Sequence, residues 1–106
     1  MARVGEPMVK LLLSWDIKPG KEMDYFDFIV KEFAPGLMKL GIQLTEAWYT
    51  IFGDGPQILT GGVTEDLETM RDILQSEEWL ELKSKLLQFV TNFKQKVVPA
   101  RSRFQL

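Results

Sequence analysis

The segment Trp48-Tyr49-Thr50-Ile51-Phe52-Gly53-Asp54-Gly55-Pro56-Gln57-Ile58-Leu59 places two glycines around an aspartate between two apolar runs. Loops of two kinds look like this. A phosphate-binding loop uses glycines so that backbone N–H groups can cradle an anion, but it opens a helix, and its Walker form ends in Lys-Ser/Thr. Here the continuation Gln57 to Val63 (QILTGGV) is a strand pattern, and so is the preceding Gln43 to Phe52 (QLTEAWYTIF). Gly53-Asp54-Gly55-Pro56 is therefore read as a hairpin connection whose glycines supply positive φ. In the first of these strands Leu44, Glu46, Trp48, Thr50 and Phe52 alternate with Thr45, Ala47, Tyr49 and Ile51. Gly61-Gly62 within the second marks a bulge, or a place where a ligand or a neighbouring backbone comes close.

Outward from the hairpin, Met8 to Ile17 (MVKLLLSWDI) is an earlier strand closed by Lys18-Pro19-Gly20. Its odd positions, Val9, Leu11, Leu13, Trp15 and Ile17, are all apolar and its even positions are mixed, so one face is fully buried and the other partly so. From Lys21 the period changes to that of a helix, with Phe26, Ile29, Val30, Phe33, Leu37 and Leu40 as the apolar stripe and Gly41 as its end. Pro35 predicts a kink near Ala34-Pro35-Gly36, because it lacks a backbone donor and disfavours helical angles at the residue before it. After the hairpin, Thr64 is expected to cap a helix over Glu65 to Gln75. Ser76 starts another, with the stripe Trp79, Leu82, Leu86, Phe89, Val90, Phe93 and Val97 running to Pro99. Arg101 to Leu106 (RSRFQL) alternates as a short last strand.

With 106 residues there is material for one domain, residues 1–106. No run approaches the ~20 apolar residues of a membrane span, and Met1 to Lys10 lacks the h-region of a secretory signal, so a cytoplasmic protein without membrane association is expected. The chain contains neither Cys nor His. Those two absences exclude disulfides, thiolate chemistry, Ser-His-Asp and Cys-His nucleophiles, zinc hydrolysis of the usual kind, and haem on a proximal His. No metal or cofactor is expected on this reading. After Glu81 every charged residue is basic: Lys83, Lys85, Lys94, Lys96, Arg101 and Arg103. Without an interleaved aromatic platform these do not make a nucleic-acid surface, and cations late in a helix complement its dipole.

The order strand, helix, strand, strand, helix, helix, strand gives an α+β, ferredoxin-like sandwich: a mainly antiparallel four-stranded sheet with helices on one face. That covers one sheet face, yet both faces of the first two strands carry apolar side chains. The simplest cover is a second copy of the chain presenting the same face, a homodimer.

Three further stretches carry a family resemblance: Ile17 to Glu22 (IKPGKE), Phe33 to Gly41 (FAPGLMKLG) and Ser76 to Trp79 (SEEW). With the Gly-Asp-Gly-Pro turn, the chain from Leu11 to Val98 resembles the dimeric α/β barrel superfamily, most closely its NIPSNAP-like branch and, beside it, the antibiotic-biosynthesis-monooxygenase-like branch. The resemblance implies two sheets placed face to face as a barrel, with a small-molecule cleft between each sheet and its helices. Members of that superfamily include cofactor-independent monooxygenases, haem-degrading enzymes and isomerases. The haem-degrading branch holds iron with a His, which this chain lacks. The monooxygenase branch uses Trp, Tyr, Asn or Arg in its pocket; the only Asn here, Asn92, falls in the expected last helix, and no catalytic residue carries over.

Ligand pockets are mostly apolar with a few convergent polar groups, which selects Trp15 with Asp16, Glu46 with Trp48, and Tyr49 as binding candidates. Glu46 shares a strand face with Trp48, where an apolar setting would raise its pKa and suit it to act as a base. Arg101 and Arg103 are placed to meet an oxyanion if the last strand returns beside the cleft. Two functions follow: a homodimer that binds or transforms an aromatic or apolar small molecule, or a non-catalytic module whose apolar sheet face serves association alone.

Overall fold

The computed structural model describes residues 8–49 and 55–100. The elements are β1 (Val9–Ile17), α1 (Glu22–Phe28), a π-helical turn (Ile29–Phe33), α2 (Ala34–Leu40), β2 (Gln43–Tyr49), β3 (Ile58–Thr64), α3 (Leu67–Leu74), α4 (Glu77–Leu86) and β4 (Val90–Pro99). The four strands form one open antiparallel sheet in the order β2-β3-β1-β4. This is the expected ferredoxin-like α+β arrangement, with the first strand and the second half of the hairpin at its centre.

The odd residues of β1 are buried from Val9 to Ile17 and form the spine of the core with Tyr25, Phe28, Phe33, Leu37, Ile42, Ile58, Met70, Ile73, Trp79, Leu86 and Val90. Every strand residue in this cluster falls on the rows that face the helices, so the core is a single layer between sheet and helices. Fully burying such a side chain contributes about 1.5–3 kcal/mol.

Between Lys21 and Gly41 one amphipathic pattern becomes two helices out of phase. Ala34 N–H reaches back five residues to Ile29 O, and this wider turn brings Phe28 and Phe33, five apart, onto one face. Ahead of the π turn the buried residues are therefore Tyr25 and Phe28, leaving Phe26 and Val30 of the expected stripe exposed. Behind it Phe33, Leu37 and Leu40 pack as the pattern predicts. The expected irregularity lies just ahead of Pro35, the residue with no N–H to give. Gly41 ends α2 at φ 104°, and Ile42 N–H bonds Leu37 O at 3.0 Å, a left-handed cap open to glycine.

A bulge does occur beside Gly61-Gly62, with the extra residue on the partner strand: Leu44 pairs with Gly62 and Glu46 with Gly61, leaving Thr45 between them. The backbone of β2 thus changes parity, and Leu44 falls on the face opposite to Glu46 rather than sharing it. The second reading of Gly62 also holds, because a Cβ there would collide with Ile42 Cγ2 and stand 3.0 Å from Gln43 O.

Two boundaries differ from expectation. Thr64 closes β3, and the cap of α3 is Asp66, whose Oδ1 accepts from Thr69 N–H at 2.8 Å. Ser76 caps α4 as predicted, accepting from Trp79 N–H at 3.2 Å, but that helix stops at Leu86, and Val90–Pro99 is the fourth strand. The reason is again a bulge. Ser14 pairs with Lys94 and Asp16 with Thr91, so β4 carries one residue more than β1 between these pairs. Val90, Phe93 and Val97 consequently all turn toward the core at spacings of three and four, the spacing of a helix. The strand expected at residues 101–106 lies outside the described residues.

Candidate functional site

The face of the sheet away from the helices carries the even rows of β1. Register sets three rows across it: Gln43, Val63, Lys10 and Val98; Glu46, Gly61, Leu12 and Lys96; Trp48, Leu59, Ser14 and Lys94. Leu12, Leu59 and Val98 are half-buried here although none belongs to the core, while Lys10 and Val63 are buried and Lys94 and Lys96 exposed.

At one end of this face the bulge of β4 builds a polar corner. Asn92 has φ 56°, a left-handed conformation that Asn tolerates better than most residues. Its Nδ2 donates to Asp16 Oδ2 at 2.8 Å, and Gln57 N–H donates to Asp16 Oδ1 at 2.8 Å. Ile17 N–H in turn donates to Gln57 Oε1 at 2.9 Å. Asp16 and Gln57 thus lace the end of β1 to the entry of β3, and Asn92 laces both to β4. The corner opens into a cleft of about 190 Å³ lined by Ser14, Asp16, Gly55, Pro56, Asn92 and Lys94.

The side-chain hydrogen bond from Asn92, then the backbone bond from Gln57, hold the Asp16 carboxyl below the usual carboxylate range, with a further contribution from the charge of Lys94 and an opposing one from burial. A carboxylate so held is ionised at neutral pH and a weak base, so it orients its neighbours rather than taking a proton. The groups left to address a ligand are the Ser14 hydroxyl and the Lys94 ammonium. Among the described residues no group of three or more acidic side chains converges as a metal site would require.

The candidates drawn from the sequence fall on both sides of the sheet. Trp15 is in the core at 1% exposure: its Nε1–H donates to Tyr25 Oη at 2.9 Å, Phe93 stacks on it at 6.1 Å, and Phe33 meets it edge-on at 5.8 Å. Trp15 therefore points away from Asp16, its sequence neighbour. The backbone at Tyr49 shares the row of Ile58 and Trp15, whereas Glu46 and Trp48 hold positions on the face with the cleft, Trp48 in the row of Ser14 and Lys94. The side chains of residues 46–49 lie outside the described residues, as do Arg101 and Arg103 entirely. The sequence reading missed Asn92 and Lys94 because both sat inside the expected helix; Asn92, directly after the β-branched pair Val90-Thr91, was the available signal for a bulge.

A larger hollow of about 420 Å³ lies between α2 and α4, lined by Gly36, Lys39, Leu40, Glu78, Glu81, Leu82 and Lys85. Beside it Lys85 and Glu32 form an exposed ion pair at 2.9 Å. Its lining includes none of the binding candidates drawn from the sequence, and its charges are those of a solvated helix surface. Among the described residues no helix is long and apolar enough to cross a membrane.

No family model and no curated protein matches the chain. Solved structures do share its fold. An uncharacterised NIPSNAP-like domain protein from Burkholderia xenovorans superposes with a TM-score of 0.69 at 20% identity, covering 95% of this chain and 90% of that one. A dimeric protein of unknown function and ferredoxin-like fold from Bacteroides fragilis gives 0.66 at 11% identity, covering 87% and 95%. SnoaB, a cofactor-independent oxygenase from Streptomyces nogalater, gives 0.65 at 13% identity, covering 94% and 99%.

Proposed function

We propose that the chain is a homodimeric small-molecule-binding protein in which two copies bring their helix-free sheet faces together and close the cleft at Ser14, Asp16, Asn92 and Lys94. The ligand of this reading is an aromatic or otherwise apolar molecule with one oxygen function for Ser14 and Lys94, its body lying along the row of Leu59 and Trp48. The observation that carries it is the half-burial of Leu12, Leu59 and Val98 on a face that no described helix covers. A dimeric protein and an oxygenase that needs no cofactor, both of the same fold, add support.

Native mass spectrometry of the purified protein tests the assembly and the ligand together. A dimer carrying additional mass supports the reading and gives a molecule to identify, which Lys94→Ala should release. A bare monomer at micromolar concentration removes it. A second reading, a module that only associates, draws on Asp16: its oxygens are bound by Gln57 and Asn92, as in a structural clamp. A bare dimer that takes up no aromatic probe favours that reading.

A further inference from the structure

We infer that α1 has two registers: the observed one, held by the π turn, and a minor one in which the chain from Met23 to Leu40 is α-helical throughout and Phe26 and Val30 replace Tyr25 and Phe28 in the core. In the observed register Tyr25 and Phe28 are buried, while Met23, Phe26 and Val30 are 86%, 48% and 71% exposed. A surface helix ordinarily turns such residues inward. Counting back from the buried Phe33 and Leu37 at α-helical spacing puts Val30, Ile29 and Phe26 on the core side. Ile29 already packs against the core. One segment thus carries two apolar faces about 100° apart, the turn of a single residue, and the extra residue of the π turn selects between them. Asp27 and Lys31, an exposed pair at 2.9 Å, stay outside in both.

The observed register prevails because it buries two rings and because Tyr25 Oη accepts from Trp15 Nε1–H at 2.9 Å. The other buries one ring and Val30, and it brings Glu22 of the first turn nearer the core. Three features keep it within reach. The ladder is already widened where Ala34 N–H reaches back to Ile29 O. Pro35 has no N–H for the Lys31 carbonyl in either register, so one α-helical bond is missing from both. At the other end, the turn closed by Lys21 N–H on Lys18 O at 3.0 Å contains Gly20 at φ 85°, a residue free to take up the rotation. The exchange withdraws Tyr25 from Trp15, so the helix works as a switch on the aromatic core. A ligand or partner with unequal affinity for the two faces moves the balance.

Nitrogen-15 saturation-transfer NMR of the full chain tests this, read at the amides from Glu22 to Phe33 and at the Trp15 indole N–H. The expected result is a minor state of about 1–10% at those sites and at none in α3 or α4. Val30→Asp and Phe26→Asp, both at exposed positions, should each lower its population at least about tenfold with unchanged circular dichroism, since a carboxylate would have to enter the core. Tyr25→Phe, which deletes the acceptor of Trp15 Nε1–H, should raise it about fivefold and move the main indole signal toward the minor one. Absence of a minor state, or one shared by all the helices and indifferent to Val30→Asp, overturns the second register. So does a Val30→Asp chain whose sedimentation shows a changed assembly, because the stripe would then serve a partner.

Discussion

Asp16 and Asn92 show how two side chains fix a strand junction, and both yield measurable consequences. Replacing Asp16 with Ala removes the acceptor of Gln57 N–H and of Asn92 Nδ2, and should cost about 1–3 kcal/mol by chemical denaturation at neutral pH. The pH dependence follows from sign. The folded state holds Asp16 below its unfolded value of about 3.9, so its contribution is complete above that pH and disappears as the pH falls through the folded pKa. The stability gap between wild type and Asp16→Ala should therefore be flat from pH 8 to 5 and narrow below about pH 4; a gap that widens on acidification contradicts the assignment. At Asn92, the left-handed backbone separates two losses. Asn92→Gly loses the bond to Asp16 but relaxes at φ 56°, whereas Asn92→Ala loses the bond and keeps a side chain there, so Ala should be the less stable variant by about 1 kcal/mol.

Elements are where sequence patterns succeed or fail, and two of the failures here share a cause. β1 was legible because every odd one of its nine residues is apolar and buried with no insertion to shift the period, and Ser76 because a cap followed by Glu77 and Glu78 is a local signal. Ser76→Ala should lower stability by about 1 kcal/mol, seen as a shift in denaturation midpoint with unchanged slope. β4 and the stripe of α1 were misread because each contains one residue beyond its regular repeat: the bulge at Asn92 turns strand spacing into helical spacing, and the π turn at Ile29–Phe33 shifts a helical stripe by one. Reading a periodicity assumes a constant period, so a single inserted residue defeats it even though strand pairing resumes on either side of the interruption. Of the site, Glu46 and Trp48 were assigned one shared face correctly, whereas the cleft residues from β4 had no signature until the bulge was seen. Gly62 tests packing at the other bulge. Gly62→Ala should cost about 1–3 kcal/mol through overlap with Ile42, and less in an Ile42→Ala background, where the clashing methyl is gone.

For the whole molecule, the two faces of one strand predict opposite behaviour from adjacent residues. Leu13 is 1% exposed within the core between sheet and helices, and Leu12, next to it, lies half-buried on the face without helices. Leu13→Ala leaves a cavity among Leu11, Trp15 and their helical neighbours and should cost about 2–5 kcal/mol whatever the protein concentration. Leu12→Asp removes nothing from that core, so the far-ultraviolet circular dichroism should be retained. If copies join through this face, the charge would sit in the interface, and association should be lost. The measurement is the melting temperature as a function of protein concentration. A dimer that dissociates on unfolding gains stability by mass action, so wild-type Tm should rise with concentration. Leu13→Ala should lower that line in parallel, and Leu12→Asp should flatten it. A wild-type Tm independent of concentration, or a Leu12→Asp line that keeps its slope, would mean that Leu12 faces solvent in the working protein.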